Sequence, residues 1–153
     1  MTAGPEVEVR PINAQELEEL LPLVAGYQSF YGSEPDVERN RRFFSRFLEP
    51  SNDGLLLGAW MSGSMAGFAT LYWFFSSTKA SDSVLLNDLF VRAEFRGAGI
   101  GRALIERALD ETRRRGARHL EWYTSPDNAT AQRLYDSLPG ATRSVWYAYE
   151  IQA

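Results

Sequence analysis

The sequence predicts an α/β protein: a mixed sheet, mostly antiparallel with a central parallel strand pair, flanked by helices. Three observations carry this. Stretches of period-2 alternation and stretches of helical apolar repeat interleave along 153 residues. Two long apolar runs, 55–61 and 65–75, are separated only by Ser62-Gly63-Ser64, which reads as a hairpin turn. A strand, a glycine-rich turn, a helix and another strand follow one another between Val84 and Thr124, the order of a parallel crossover.

Taken in order, Val7-Glu8-Val9-Arg10 alternates and reads as a first strand, closed by Pro11. Asn13 with Glu16 three positions later reads as a capping box. The helix that follows sets Leu17, Leu20, Leu21, Val24 and Tyr27 on one side, with Pro22 inside it as a site of kinking. The aromatic run from Gly26 to Gly32 reads as the helix end and a loop. A second helix is expected to start over 33–38, with Pro35 early and acids in its first turn, burying Phe43, Phe44, Phe47 and Leu48. The hairpin follows, then a polar connector over 76–83 and an apolar strand over 84–91. Helical spacing resumes at Ile100, Ala103, Leu104, Ala108 and Leu109 and runs to about Arg115. A strand over 119–124, a short helix over 129–138 and a final alternating strand over 144–151 complete the chain.

Composition excludes several functions. The length suits one domain, expected to span 1–153. No apolar run reaches the ~20 residues that cross a bilayer. The start lacks a signal-peptide pattern, so a cytoplasmic protein that makes no membrane contact is expected. With no cysteine and a single histidine, His119, a metal site is not expected. His119 itself reads as a strand-edge residue. Net charge is −4, and the basic cluster Arg113-Arg114-Arg115 with Arg118 closes a helix, where cations suit the C-terminal dipole. Nucleic acid is therefore not an expected partner.

The turn between Val91 and the long helix carries the chemistry. It reads Arg96-Gly97-Ala98-Gly99-Ile100-Gly101-Arg102. A helix N-terminus offers unpartnered N–H groups and partial positive charge to an anion, and glycine lets that anion approach. The dinucleotide fingerprint fails, because Arg102 stands where its third glycine belongs. The mononucleotide loop fails for want of a lysine. Arg-x-x-Gly-x-Gly, at Arg96, Gly99 and Gly101, is the pattern that fits.

That pattern, with Leu89-Phe90-Val91 ahead of it, resembles the GNAT superfamily of general-control-related N-acetyltransferases. The resemblance covers nearly the whole chain. It implies the acyl-CoA N-acyltransferase fold, with acetyl-CoA as cofactor and the loop from Arg96 to Arg102 on its pyrophosphate. It implies that the backbone of Leu89, Phe90 and Val91 pairs with the pantetheine arm, and that an N–H near Phe90 polarises the thioester carbonyl. It further implies that Asn128 contacts the cofactor and that Tyr135 is the general acid. Seven residues apart, those two lie on one helix face. A phenol of pKa ~10 can protonate a leaving thiolate of pKa ~8.5. Asn128 also reads as a helix N-cap, and Tyr135 as a core aromatic.

The base is less legible. Polyamine acetyltransferases of the superfamily carry Glu-Asp on the fourth strand, where this chain has Asn87-Asp88. Asn87 cannot take a proton. Asp88 remains, but neighbours on a regular strand face opposite ways, so it should not inherit the glutamate's place. A water chain ending at Asp88 or Glu121 is the expected alternative. The acceptor wall is expected from Tyr27, Phe30, Tyr31, Glu34, Tyr72, Trp73 and Trp146, between the first two helices, the long strand and the last strand, with Asn87 nearby. The resemblance thus implies transfer of acetyl to a primary amine of a small molecule, amino-acid-like or polyamine-like. The alternatives are a non-catalytic acyl-CoA sensor or partner module, and an acetyltransferase acting on protein N-termini or lysines. Exposed sheet edges suggest a homodimer.

Overall fold

Apolar residues spaced two apart build five strands, and all five join one sheet. The computed structural model describes residues 4–153. Its strands are β1 (Val7–Pro11), β2 (Gly54–Met61), β3 (Ser64–Ser76), β4 (Ser81–Val91) and β5 (His119–Glu121). Their order across the sheet follows their order along the chain. β1 to β4 pair antiparallel, and β4 pairs parallel with β5. The helices are α1 (Leu17–Phe30), α2 (Val37–Ser45), α3 (Ile100–Arg114) and α4 (Ala129–Asp136). The mixed sheet with its parallel pair is the one expected. The chain divides into two compact units, up to residue 122 and 123–153.

The capping box forms as the sequence predicts. Asn13 Oδ1 accepts from Glu16 N–H at 3.1 Å, and Glu16 Oε1 accepts from Asn13 N–H at 3.0 Å. Glu16 also takes both guanidinium ends of Arg10, at 2.8 and 2.7 Å, tying the helix entry to β1. A short 3-10 turn, Ala14–Glu16, leads into α1, which runs on through Pro22. Pro22 sits on the exposed side, where water can serve the carbonyl its ring leaves unbonded.

Both faces of the sheet are covered within the first unit. Leu20 and Val24 of α1 pack with Leu56 of β2 and Phe68 of β3, all fully buried. Each such side chain contributes about 1.5–3 kcal/mol by leaving water. On the opposite face α3 brings Ile100 and Leu104 against Gly67. A Cβ at Gly67 would lie 2.7 Å from Phe90 O and 3.2 Å from Ile100 Cγ2. Glycine is thus required here by close approach of strand and helix.

Several boundaries differ from expectation. Asp36 caps α2 through Arg39 N–H, so Pro35 precedes the helix and does not open it. Phe43 is substantially exposed, whereas Phe44 and Phe47 are buried. The aromatic run after Gly26 stays helical to Phe30, with Gly32 in the left-handed turn beyond. β3 and β4 extend into the polar connector until Ser76 faces Ser81. β5 stops at Glu121, three residues short. The final strand is not formed: among the described residues, 144–151 adopt no regular structure. Val145, Tyr147, Tyr149 and Ile151 are 86–94 % exposed. Alternation only marks which side a strand would bury; the strand itself needs a neighbour's ladder.

Candidate active site

The site is built around a fault in β4. Thr70 of β3 faces Asp88, but the next residue, Leu71, faces Leu86. Asn87 is therefore the extra residue of a β-bulge. A regular strand would send Asn87 and Asp88 to opposite faces. Here Asn87 Nδ2 donates to Asp88 Oδ1 at 3.0 Å and to Tyr72 Oη at 3.3 Å. The expectation that strand alternation separates the two side chains is corrected by this bulge.

Asp88 is 4 % exposed. Burial is the largest influence on its carboxyl and pushes its pKa above the ordinary carboxylate range. Thr70, Tyr27 and Asn87 pull the other way. The carboxylate in turn raises its phenolic neighbours. Tyr72 is pushed up to about 12, mainly by its own burial and then by Asp88. Tyr27 is raised further, for the same two reasons. Both phenols keep their protons at neutral pH, leaving Asp88 as the proton acceptor of the cluster.

A cavity of about 270 Å³ opens against Asp88, walled by α1, α2, β3 and β4. Tyr27, Tyr72, Phe43 and Phe44 give it aromatic sides. Gln28 and Asn40 line it as a closed pair, each amide donating to the other at 2.9 Å. Arg39 also lines it. Gly26 lets α1 approach, since a Cβ there would touch the Phe90 ring at 3.0 Å.

Past the bulge the sheet changes. β4 pairs with β5 only over Ser83–Leu85 against His119–Glu121. Leu89, Phe90 and Val91 pair with β3 alone, so their outer edge has no strand partner among the described residues. The chain then turns through Ala93–Phe95 and the glycine loop into α3. Arg96 Nε donates to Val91 O at 3.1 Å and pins the loop to the strand end. Gly97 and Gly99 have φ of 81° and 80°, a left-handed conformation, and a Cβ on either would meet nothing within 4 Å. The first helical bond is Ala103 N–H to Gly99 O, 3.0 Å. The amides of Ile100, Gly101 and Arg102 precede it and point out along the axis, beside Ala98.

The structure thus brings Tyr27, Tyr72, Asn87 and Asp88 together. Tyr31 sets its ring 4.9 Å from Tyr27, tilted by 58°, but is itself mostly exposed, as is Phe30 beside it. Glu34 contributes its carbonyl to Arg39 and does not line the cavity. Trp73 belongs to the other face: its indole donates to Ser51 O and Arg115 stacks on its ring at 4.0 Å. Its inclusion in the acceptor wall is corrected by strand alternation. Glu121 is held by Lys79 at 3.1 Å. Trp146, exposed, bonds Ser144 within the second unit. In that unit Asn128 Oδ1 accepts from Ala131 N–H at 3.1 Å, the N-cap expected of it, and Tyr135 lies seven residues on in α4. Gln28, Arg39 and Asn40 were not singled out from sequence. Their one signal is helical spacing with aromatics, Arg39 to Phe43 being one turn.

Comparison with known proteins sets this geometry in context. A family model described as the acetyltransferase (GNAT) family matches residues 18–138. An uncharacterized N-acetyltransferase, YhfO, of Bacillus subtilis is 31 % identical over 130 residues, covering 85 % of this chain and 87 % of its own length. The D-amino-acid N-acetyltransferase HPA3 of Saccharomyces cerevisiae is 29 % identical over 143 residues, 92 % of this chain and 89 % of its own. The crystal structure of a probable acetyltransferase superposes with a TM-score of 0.83 at 26 % identity, covering 95 % of this chain and 97 % of that one.

Proposed function

The chain belongs to the acetyltransferase (GNAT) family, and from that premise we propose that it moves an acetyl group from acetyl-coenzyme A to the primary amine of a small molecule. One observation carries the reading. On a single strand, a buried carboxylate faces a half-open cavity, and the next three residues offer an edge with no strand partner among the described residues that leads into a glycine turn.

The residues present fit the donor. The open space around Gly97 and Gly99 and the outward amides at the start of α3 suit a pyrophosphate, with Arg96 and Arg102 flanking it. The edge of Leu89, Phe90 and Val91 suits an amide-bearing arm. Acetyl-coenzyme A, when bound, supplies the activated acetyl group. The chain supplies the rest. Asp88 Oδ accepts the proton of the acceptor ammonium, and its raised affinity for protons brings it closer to the working pH. Tyr27 and Tyr72 set aromatic faces beside a cation. Tyr135 Oη is assigned the proton for the departing sulfur. A C–N bond forms and a C–S bond breaks, with one proton taken up at Asp88 and one given at Tyr135.

A buried carboxylate at the cavity supports catalysis over a non-catalytic acyl-CoA sensor. The test is a panel of amines with acetyl-coenzyme A, followed by release of free thiol. Amine-dependent release that disappears in Asp88→Asn supports the proposal. Coenzyme A binding with no release across the panel would favour the sensor.

A further inference from the structure

We infer that the acceptor carries a carboxylate as well as its amine, and that Arg39 at the cavity rim selects for it. The inference rests on the acetyl-transfer reading above. Of the residues lining the cavity, only Asp88 and Arg39 are ionic. Asp88 is buried and Arg39 is exposed, so the negative charge lies deep and the positive charge at the mouth.

Arg39 is placed for such a role by what it lacks. Of the nearby arginines, Arg41 pairs with Glu18 and Glu38 and Arg46 with Asp53, while Arg42 does not line the cavity. Arg39 makes no ion pair among the described residues. Its side-chain bond runs from Nη2 to the Glu34 carbonyl at 3.1 Å. Glu38, next to it in sequence, is taken by Arg41, and Asp36 accepts from the Arg39 backbone N–H at 3.0 Å. The two lining amides do not compete, since Gln28 and Asn40 satisfy each other.

A guanidinium presents two parallel N–H donors, the match for a carboxylate. An amino carboxylate would set its ammonium at Asp88 and its carboxylate on Arg39, with its apolar part on Phe43, Phe44 and Tyr72. A diamine would instead bring a second cation to the arginine. At about 270 Å³ the cavity falls below the roughly 300–1,000 Å³ of sites for drug-sized ligands. That suits a free amino acid better than an oligosaccharide or a folded polypeptide.

The test compares leucine, leucinamide and isoamylamine, which share a side chain and lose the carboxylate stepwise. Putrescine and γ-aminobutyrate extend the series to a diamine and a longer spacer. Wild type should favour the carboxylate-bearing amines by about tenfold or more in kcat/KM. R39Q should bring that ratio close to one through KM, and R39E should invert it. Calorimetric titration of the coenzyme A-loaded protein reads the same ratio where turnover is slow. Equal use of leucinamide or putrescine by wild type would overturn the inference while leaving acetyl transfer standing. So would an unchanged ratio in R39Q. Tight binding of leucine with no thiol release from any amine would do the opposite, removing the transfer reading and keeping carboxylate recognition.

Discussion

Replacing Asp88 by asparagine should make the protein more stable and less active at once. The substitution is isosteric. It keeps an oxygen to accept from Asn87 Nδ2, now at 3.0 Å, and deletes the charge and the base. Because burial lifts the Asp88 carboxyl above its ordinary range, the folded chain binds this proton more tightly than the unfolded chain does. The charge is then a folding penalty, fully present above the folded-state pKa. It is relieved as pH falls through that value toward the unfolded one. Under-satisfied buried polar groups cost about 1–3 kcal/mol. Recovering about 1 kcal/mol raises Tm by roughly 2–4 °C in a chain of this size. Loss of a general base costs about 10²–10⁴ in kcat/KM. Thermal scans of both proteins should show the gap widest at mildly alkaline pH and closing toward acid. Wild-type kcat/KM should decline on the acid side as Asp88 protonates. Activity of Asp88→Asn within about threefold of wild type would refute the base assignment. A marked fall in Tm at alkaline pH would refute the claim that this charge is held at a cost.

Three other substitutions probe neighbouring claims. Tyr135→Phe should lower kcat far more than it weakens coenzyme A binding by calorimetry; equal losses would point to packing. Gly99→Ala should cost about 1–2 kcal/mol in urea melts for the left-handed φ alone, since nothing crowds the added methyl. It should also weaken coenzyme A binding, and unchanged affinity would take the turn out of the donor site. Gly67→Ala, meeting Phe90 O at 2.7 Å, should destabilise by about 1–3 kcal/mol through overpacking. A loss below about 0.5 kcal/mol would show that β3 and β4 separate freely there.

Much of the fold is legible in local patterns. The capping box at Asn13 and Glu16, the turn at Ser62-Gly63 and the glycines before α3 each depend on residues a few positions apart. Backbone sterics and nearby hydrogen bonds act over that range, so periodicity and turn chemistry report them. The site is different. Asn87 and Asp88 share a face only because β4 slips one residue against β3 between Thr70 and Leu71. Tyr72 joins the cavity and Trp73 leaves it by alternation within that same register. Arg39 enters the wall because α2 packs where Tyr27 and Asp88 already are. The alternating run at 144–151 shows the converse, a strand pattern without a ladder. Register and packing couple segments far apart in the chain, and their energies are settled by mutual burial rather than by any one segment's own preference.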